Sequence, residues 1–146
     1  MKVPKVLIIY TGGTIGMKRT PDGYAPAVGF LLQLMKKYVH QLDETQQIRT
    51  KDNQYIEYEI LEYEHLIDSS NMQTTHWNRI AQSIYTNYDK FIGFVVLHGT
   101  DTMAYTASAL SFMLVNLSKP VILTGSQIPL SESRSDATEN LIGAIT

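Results

Sequence analysis

The sequence predicts an α/β fold, a three-layer α/β/α arrangement around a mostly parallel sheet, and three observations carry that expectation. Apolar runs of strand length at Val6 to Tyr10, Phe94 to Leu97 and Val121 to Thr124 each stop at a glycine-containing segment, as strands buried on both faces do. Segments of helical periodicity lie between these runs. Strand and helix alternate along the chain, which calls for parallel strands, right-handed crossovers and helices on both faces of the sheet.

Val6 to Tyr10 is rich in β-branched residues and closes on Thr11-Gly12-Gly13, so it is the first strand. From Thr14 to Gly29 the turn-rich sequence, notably Pro21-Asp22-Gly23, predicts a flap built as a hairpin. Phe30, Leu31, Leu34, Met35, Tyr38 and Val39 then recur at helical spacing, with Lys36 and Lys37 opposite them. Gln41 to Gln54 carries no periodicity and is expected to be a surface loop. Ile56, Tyr58 and Ile60 alternate with Glu57 and Glu59, the period of a half-exposed strand at an edge, and Glu57, Glu59, Glu62 and Glu64 read as its solvated face. Trp77, Ile80, Ala81, Ile84, Tyr85 and Tyr88 fit a helix capped by Thr74 or Thr75. After Phe94 to Leu97, the mostly apolar span Asp101 to Asn116 predicts a helix buried between layers. A last helix opens with an Asp136-x-x-Glu139 capping pattern and shows Leu141, Ile142 and Ile145 on one face. The sequence stops at Thr146 without Gly, Pro or a basic last turn, so residues 1–146 are expected to be one excised domain of a longer protein.

Composition narrows the function. Twelve basic and 14 acidic side chains leave a net charge of −2, and no cluster of Lys and Arg offers the footprint that nucleic acid binding demands. Cysteine is absent, which excludes disulfides and thiolate metal sites and leaves no call for an oxidising compartment. No apolar run approaches the roughly 18 residues of a membrane span. The apolar stretch near the start is too short and lacks a cleavage site, so it reads as a strand and not as an export signal, and a cytoplasmic protein is expected.

In open α/β sheets, ligands bind beyond the carboxyl ends of the strands. The residues expected there are Thr14 with the flap residue Tyr24, Asp68-Ser69-Ser70-Asn71, Thr100-Asp101-Thr102, and Ser126-Gln127. Gly12-Gly13 lacks the Lys-Ser/Thr of a phosphate loop, and Gly12-x-x-x-Gly16 misses the dinucleotide fingerprint, so nucleotide binding is the weaker alternative. A hydroxyl nucleophile needs a base within reach and donors aimed at the developing oxyanion. Thr14, behind two glycines, fits the nucleophile, and Tyr24 could take its proton once the flap closes. Thr100 and Asp101, expected to begin a helix, could hold a carbonyl oxygen or water with their N–H groups while the Asp101 carboxylate meets a substrate ammonium. Taken singly, each residue has a blander reading: TGGT a turn, Asp101 a helix cap, Asp68-Ser69 a polar loop, Tyr24 a rim residue. His98 reads as a buried, hydrogen-bonded neighbour of the site.

Thr11-Gly12-Gly13-Thr14-Ile15 and His98-Gly99-Thr100-Asp101-Thr102-Met103 resemble the two signature motifs of bacterial-type L-asparaginases, with Asp68-Ser69 and Thr124-Gly125-Ser126-Gln127 in supporting positions. The resemblance spans the chain and is closest to the cytoplasmic type I branch. It implies a Rossmann/flavodoxin-like N-terminal asparaginase domain that hydrolyses L-asparagine, with L-glutamine as the other candidate substrate, and without a cofactor or metal. By that likeness Thr14 attacks the side-chain amide and forms an acyl-enzyme, Tyr24 is the flap tyrosine, and Thr100 and Asp101 handle protons and bind substrate. Asp68 and Ser69 grip the substrate's α-amino and α-carboxylate groups. A catalytic lysine would lie beyond Thr146, and a neighbouring subunit of a homodimer or homotetramer would complete the site, so the domain alone is expected to turn over little. Two other functions stay open: the ammonia-releasing subunit of a tRNA-dependent amidotransferase, and a binding-only amino-acid module.

Overall fold

A computed structural model describes residues 3–39, 46–50 and 52–146. Strand β1 (Lys5–Gly12) is buried at every position after Lys5. A short 3-10 turn at Thr14–Gly16 leads into the flap, an antiparallel hairpin of β2 (Met17–Thr20) and β3 (Gly23–Pro26). Helix α1 (Leu31–Tyr38) follows. Next come β4 (Gln47–Arg49), β5 (Tyr55–Ile67), a 3-10 turn at Ser69–Asn71 and α2 (Thr74–Asn87). The chain continues through β6 (Gly93–Leu97), α3 (Met103–Met113), β7 (Val121–Thr124) and α4 (Ala137–Ile145).

The sheet order is β4-β5-β1-β6-β7, with β5, β1, β6 and β7 parallel and β4 antiparallel to β5. Side-chain alternation along β1 divides the core in two. Val6, Ile8 and Tyr10 face one layer with Leu31, Met35, Leu141 and Ile145, whereas Leu7 and Ile9 face the other with Ile80, Ile84 and Leu110. Each fully buried aliphatic side chain contributes about 1.5–3 kcal/mol of transfer free energy, so β1 anchors both layers. The predicted three-layer α/β/α class is the observed one.

This order also locates a ligand crevice. The chain leaves β1 towards β5 and leaves β6 in the opposite direction towards β7. A crevice opens where neighbouring strands part this way, so the switch point lies between the carboxyl ends of β1 and β6.

Several expectations need correction. The span Gln41 to Gln54 is not all loop, since Gln47–Arg49 forms an edge strand on Tyr55–Glu57, while residues 41–45 and 51 lie outside the described residues. That pairing puts the start of β5 one place in from the edge. Glu62 is not purely solvated, because its carboxylate accepts the Gly29 N–H at 2.7 Å and ties the end of the flap region to β5. Helix α2 is preceded by Gln73, not capped by Thr74 or Thr75, and the Gln73 N–H donates to His76 Nδ1 at 2.9 Å. Helix α3 starts at Met103, and only Thr106 and Leu110 are buried on it. Tyr105 and Phe112 are 68% and 84% exposed, because an apolar composition records that a face can be covered without specifying what covers it. Asp136 adjoins α4 but makes no side-chain cap, and its carboxylate is used elsewhere.

Candidate active site

The two motif loops approach backbone to backbone at Gly13 and Gly99. Gly13 sits at φ 88°, ψ 171°, a region essentially restricted to glycine. A Cβ there would come within 2.6 Å of the Gly99 nitrogen. A Cβ on Gly99 would in turn lie 2.6 Å from Ser69 Oγ. The ends of β1, β5 and β6 are therefore drawn together at two positions that no larger residue could occupy without displacement.

Around this contact lies a cavity of about 80 Å³ lined by Gly13, Thr14, Met17, Asp68, Ser69, Gly99, Thr100 and Asp101. At about 30 Å³ per water molecule in the liquid, it admits one polar end of a small molecule. Its polar convergence, not its size, distinguishes it from larger clefts elsewhere. Thr14, Asp68, Ser69, Thr100 and Asp101, singled out in the sequence, share this cavity. Tyr24 does not line it: on β3 of the flap it is 48% exposed.

Each wall is held in place. Asp68 Oδ1 accepts from the Ser70 N–H at 2.9 Å and the Ser70 hydroxyl at 2.8 Å, and these bonds hold its carboxyl below the usual carboxylate range. Thr102 Oγ1 donates to the Ser69 carbonyl at 2.7 Å, tying the loop after β5 to the loop after β6. Thr100 and Asp101 thus precede α3 instead of beginning it, and Thr102, the residue just before the helix, spends its hydroxyl on a neighbouring loop.

Gln127, expected from the sequence on the ligand-binding edge but without a role, contacts the site directly. Its Nε2 donates to Thr100 Oγ1 at 3.1 Å. Its backbone N–H and that of Ile128 both donate to the Asp136 carboxylate at 3.0 Å, and Asn140 Nδ2 reaches the same carboxylate at 3.2 Å and the Gly125 carbonyl at 2.9 Å. Burial pushes the Asp136 carboxyl up, but these donors outweigh it and the net shift is downward. The signal was present in Thr124-Gly125-Ser126-Gln127; what it lacked was the clamp residue further along.

His98 is fully buried beneath the site. Its Nδ1 lies 2.6 Å from the Gly99 carbonyl, which can only accept, so Nδ1 carries the proton. Nε2 is then the acceptor for Thr106 Oγ1 at 2.8 Å, and Thr106 accepts from Trp77 Nε1 at 2.9 Å. This chain of bonds joins α2 and α3 to the Gly99 loop and occupies both ring nitrogens, consistent with a positioning neighbour. Burial pushes the His98 pKa below the ordinary histidine value, against a smaller opposing pull from the Gly99 carbonyl. Because the folded value is depressed, the stability held by neutral His98 is complete above about pH 6.5 and declines as pH falls towards the folded value. We expect the Tm difference between the parent and His98→Gln to shrink as pH is lowered from 7.5 to 5.5, as thermal melts across that range would check.

The chain matches the family described as Asparaginase, N-terminal, over residues 5–146. It is 50% identical to L-asparaginase 1 of Escherichia coli K12 over 99% of its length, which is 40% of that relative. The crystal structure of L-asparaginase I from Vibrio cholerae superposes with a TM-score of 0.83 at 48% identity, covering 99% of this chain and 40% of that one. A glutamyl-tRNA(Gln) amidotransferase subunit of Pyrococcus abyssi is 38% identical over 98% of this chain and 30% of the relative. The chain thus spans less than half the length of the relatives it matches.

Proposed function

Because the chain belongs to the asparaginase family, as its N-terminal domain, we propose that it carries the nucleophile of an L-asparaginase acting in the cytoplasm. The observation that supports this reading is the cavity that Thr14 and Thr100 share with Asp68, Ser69 and Asp101. In this reading Thr14 Oγ attacks the side-chain amide carbon of L-asparagine and its proton passes to Tyr24 as the flap closes. That proton is relayed through the Tyr24 hydroxyl to the amide nitrogen, the C–N bond breaks and ammonia leaves; water then adds to the ester, its proton returns to Thr14 Oγ, and aspartate is released. Asp68 and Asp101 meet the substrate ammonium, and Ser69 its α-carboxylate. Thr100, oriented by Gln127, handles protons with a lysine outside residues 1–146. The whole protein acts as a homodimer or homotetramer whose neighbouring subunit completes each site.

Little or no ammonia release from L-asparagine is expected of residues 1–146 alone, and ready release of a polypeptide that extends them to the relatives' length. A coupled ammonia assay on both decides it: an extended protein inactive on L-asparagine would defeat the reading. The second reading, an ammonia-releasing amidotransferase subunit, is favoured by the relative from Pyrococcus abyssi. It requires that ammonia release depend on a partner and a charged tRNA, which the same assay separates.

A further inference from the structure

On the flap's other flank, β2, α1 and the loop at Ser131 and Glu132 enclose a cleft of about 300 Å³. Three cations converge there, Lys18 and Arg19 from β2 and Lys37 from α1. Lys18 Nζ sits 5.2 Å over the Phe30 ring and Lys37 Nζ 4.9 Å over the Tyr38 ring, so aromatic faces hold both ammoniums at the cleft. Among the described residues none of the three forms a salt bridge, although Glu132 lines the same cleft. Ser131, also in the lining, has a buried hydroxyl with no hydrogen-bond partner among the described residues. Basic clusters are usually solvated surface; this one lies in a concavity, draws on separate elements, and includes a hydroxyl that lacks a partner.

We propose that this cleft binds a small phosphate-bearing anion and that its occupancy holds the flap against α1. Three positive charges against one carboxylate leave a surplus that matches the charge of about −1.5 to −2 on a phosphate monoester at neutral pH. The Arg19 guanidinium can engage two phosphate oxygens at once, and a phosphate keeps a further charged oxygen for a lysine of the cleft, which a carboxylate held the same way lacks. The cleft also connects to the other site. Arg19 lies opposite Tyr24 in the hairpin ladder, and the Leu130 N–H donates to the Ile15 carbonyl at 3.1 Å, beside Thr14. An occupant bridging β2, α1 and this loop therefore restrains the hairpin that carries Tyr24. Anion binding does not depend on the hydrolytic reading; only the consequence for Tyr24 rests on it.

Calorimetric titration of the 146-residue chain with inorganic phosphate, against acetate at matched ionic strength, tests the site without any turnover. Saturable one-to-one uptake of phosphate is expected, with Arg19→Ala and Lys37→Ala each weakening it about tenfold. Both side chains are exposed, so neither change threatens folding, and Lys36→Ala, next along α1 but outside the cleft, is expected to bind as the parent does. Phosphate is also expected to slow amide exchange in residues 17–26. Absent or acetate-like binding, or an equal loss in Lys36→Ala, overturns the site, and unchanged exchange in the hairpin overturns its link to the flap.

Discussion

Thr14→Ala is expected to lower kcat for L-asparagine at least about 10³-fold in a polypeptide that extends this chain to its relatives' length. A nucleophile forms a covalent bond that no neighbour can supply, and in groups acting as a unit the loss of one member removes most of the catalysis. The expected signature is a fall in kcat with little change in affinity for L-aspartate, since Asp68, Ser69 and Asp101 line the cavity independently of the Thr14 hydroxyl. Thr14→Ser keeps the hydroxyl and is expected to retain part of the activity. Steady-state ammonia release gives kcat and calorimetry the aspartate affinity. A Thr14→Ala enzyme within tenfold of the parent would remove Thr14 from the chemistry.

Gly13→Ala is expected to lose on the order of 2–4 kcal/mol of stability, and with it the cavity. Two costs add: the new residue is strained at φ 88°, ψ 171°, by about 1–3 kcal/mol, and its Cβ meets the Gly99 backbone at 2.6 Å. The obstruction is main chain, not the tip of a flexible side chain, so relief requires the loops after β1 and β6 to part. For a chain of this size the Tm falls by roughly 5–15 °C. Gly143→Ala on α4, where an added Cβ meets nothing within 4 Å, is expected to leave the Tm unchanged or slightly raised. Thermal melts of both variants give the comparison, and a Gly13→Ala protein as stable as the parent would contradict the close approach.

The apolar strands were legible because an apolar run ending in glycine has few other uses, and β1, β6 and β7 lie where Val6 to Tyr10, Phe94 to Leu97 and Val121 to Thr124 placed them. Strands β1 and β6 are buried, whereas β7, at the sheet edge, is only partly covered and Ile122 is exposed, against the expected burial on both faces. The flap was legible from Pro21-Asp22-Gly23. The pairing of Gln47–Arg49 was not, because a three-residue strand takes its hydrogen bonds from a partner and carries no period of its own. The exposure of Tyr105 and Phe112 on α3 was hidden for a related reason: burial belongs to the surroundings of a helix, not to its composition. Polar residues that follow strand ends could be gathered by topology, which is why Thr14, Asp68, Ser69, Thr100 and Asp101, expected along one edge, line one cavity. Gln127 was placed on the same edge, but its contact with Thr100 was not legible because its position depends on Asp136, and that carboxylate reads locally as a helix cap. Tyr24 was assigned through a motion of the flap that no static pattern encodes.

The most direct measurement is an amide NMR titration of the 146-residue chain with L-aspartate. If the loops after β1, β5 and β6 form one receptor, shift changes will concentrate together at Gly13 and Thr14, at Asp68 to Ser70, at Gly99 to Asp101 and at Gln127, with a single apparent Kd. Perturbation of one loop without the others, or a main response elsewhere on the surface, would contradict the shared cavity on which the account stands.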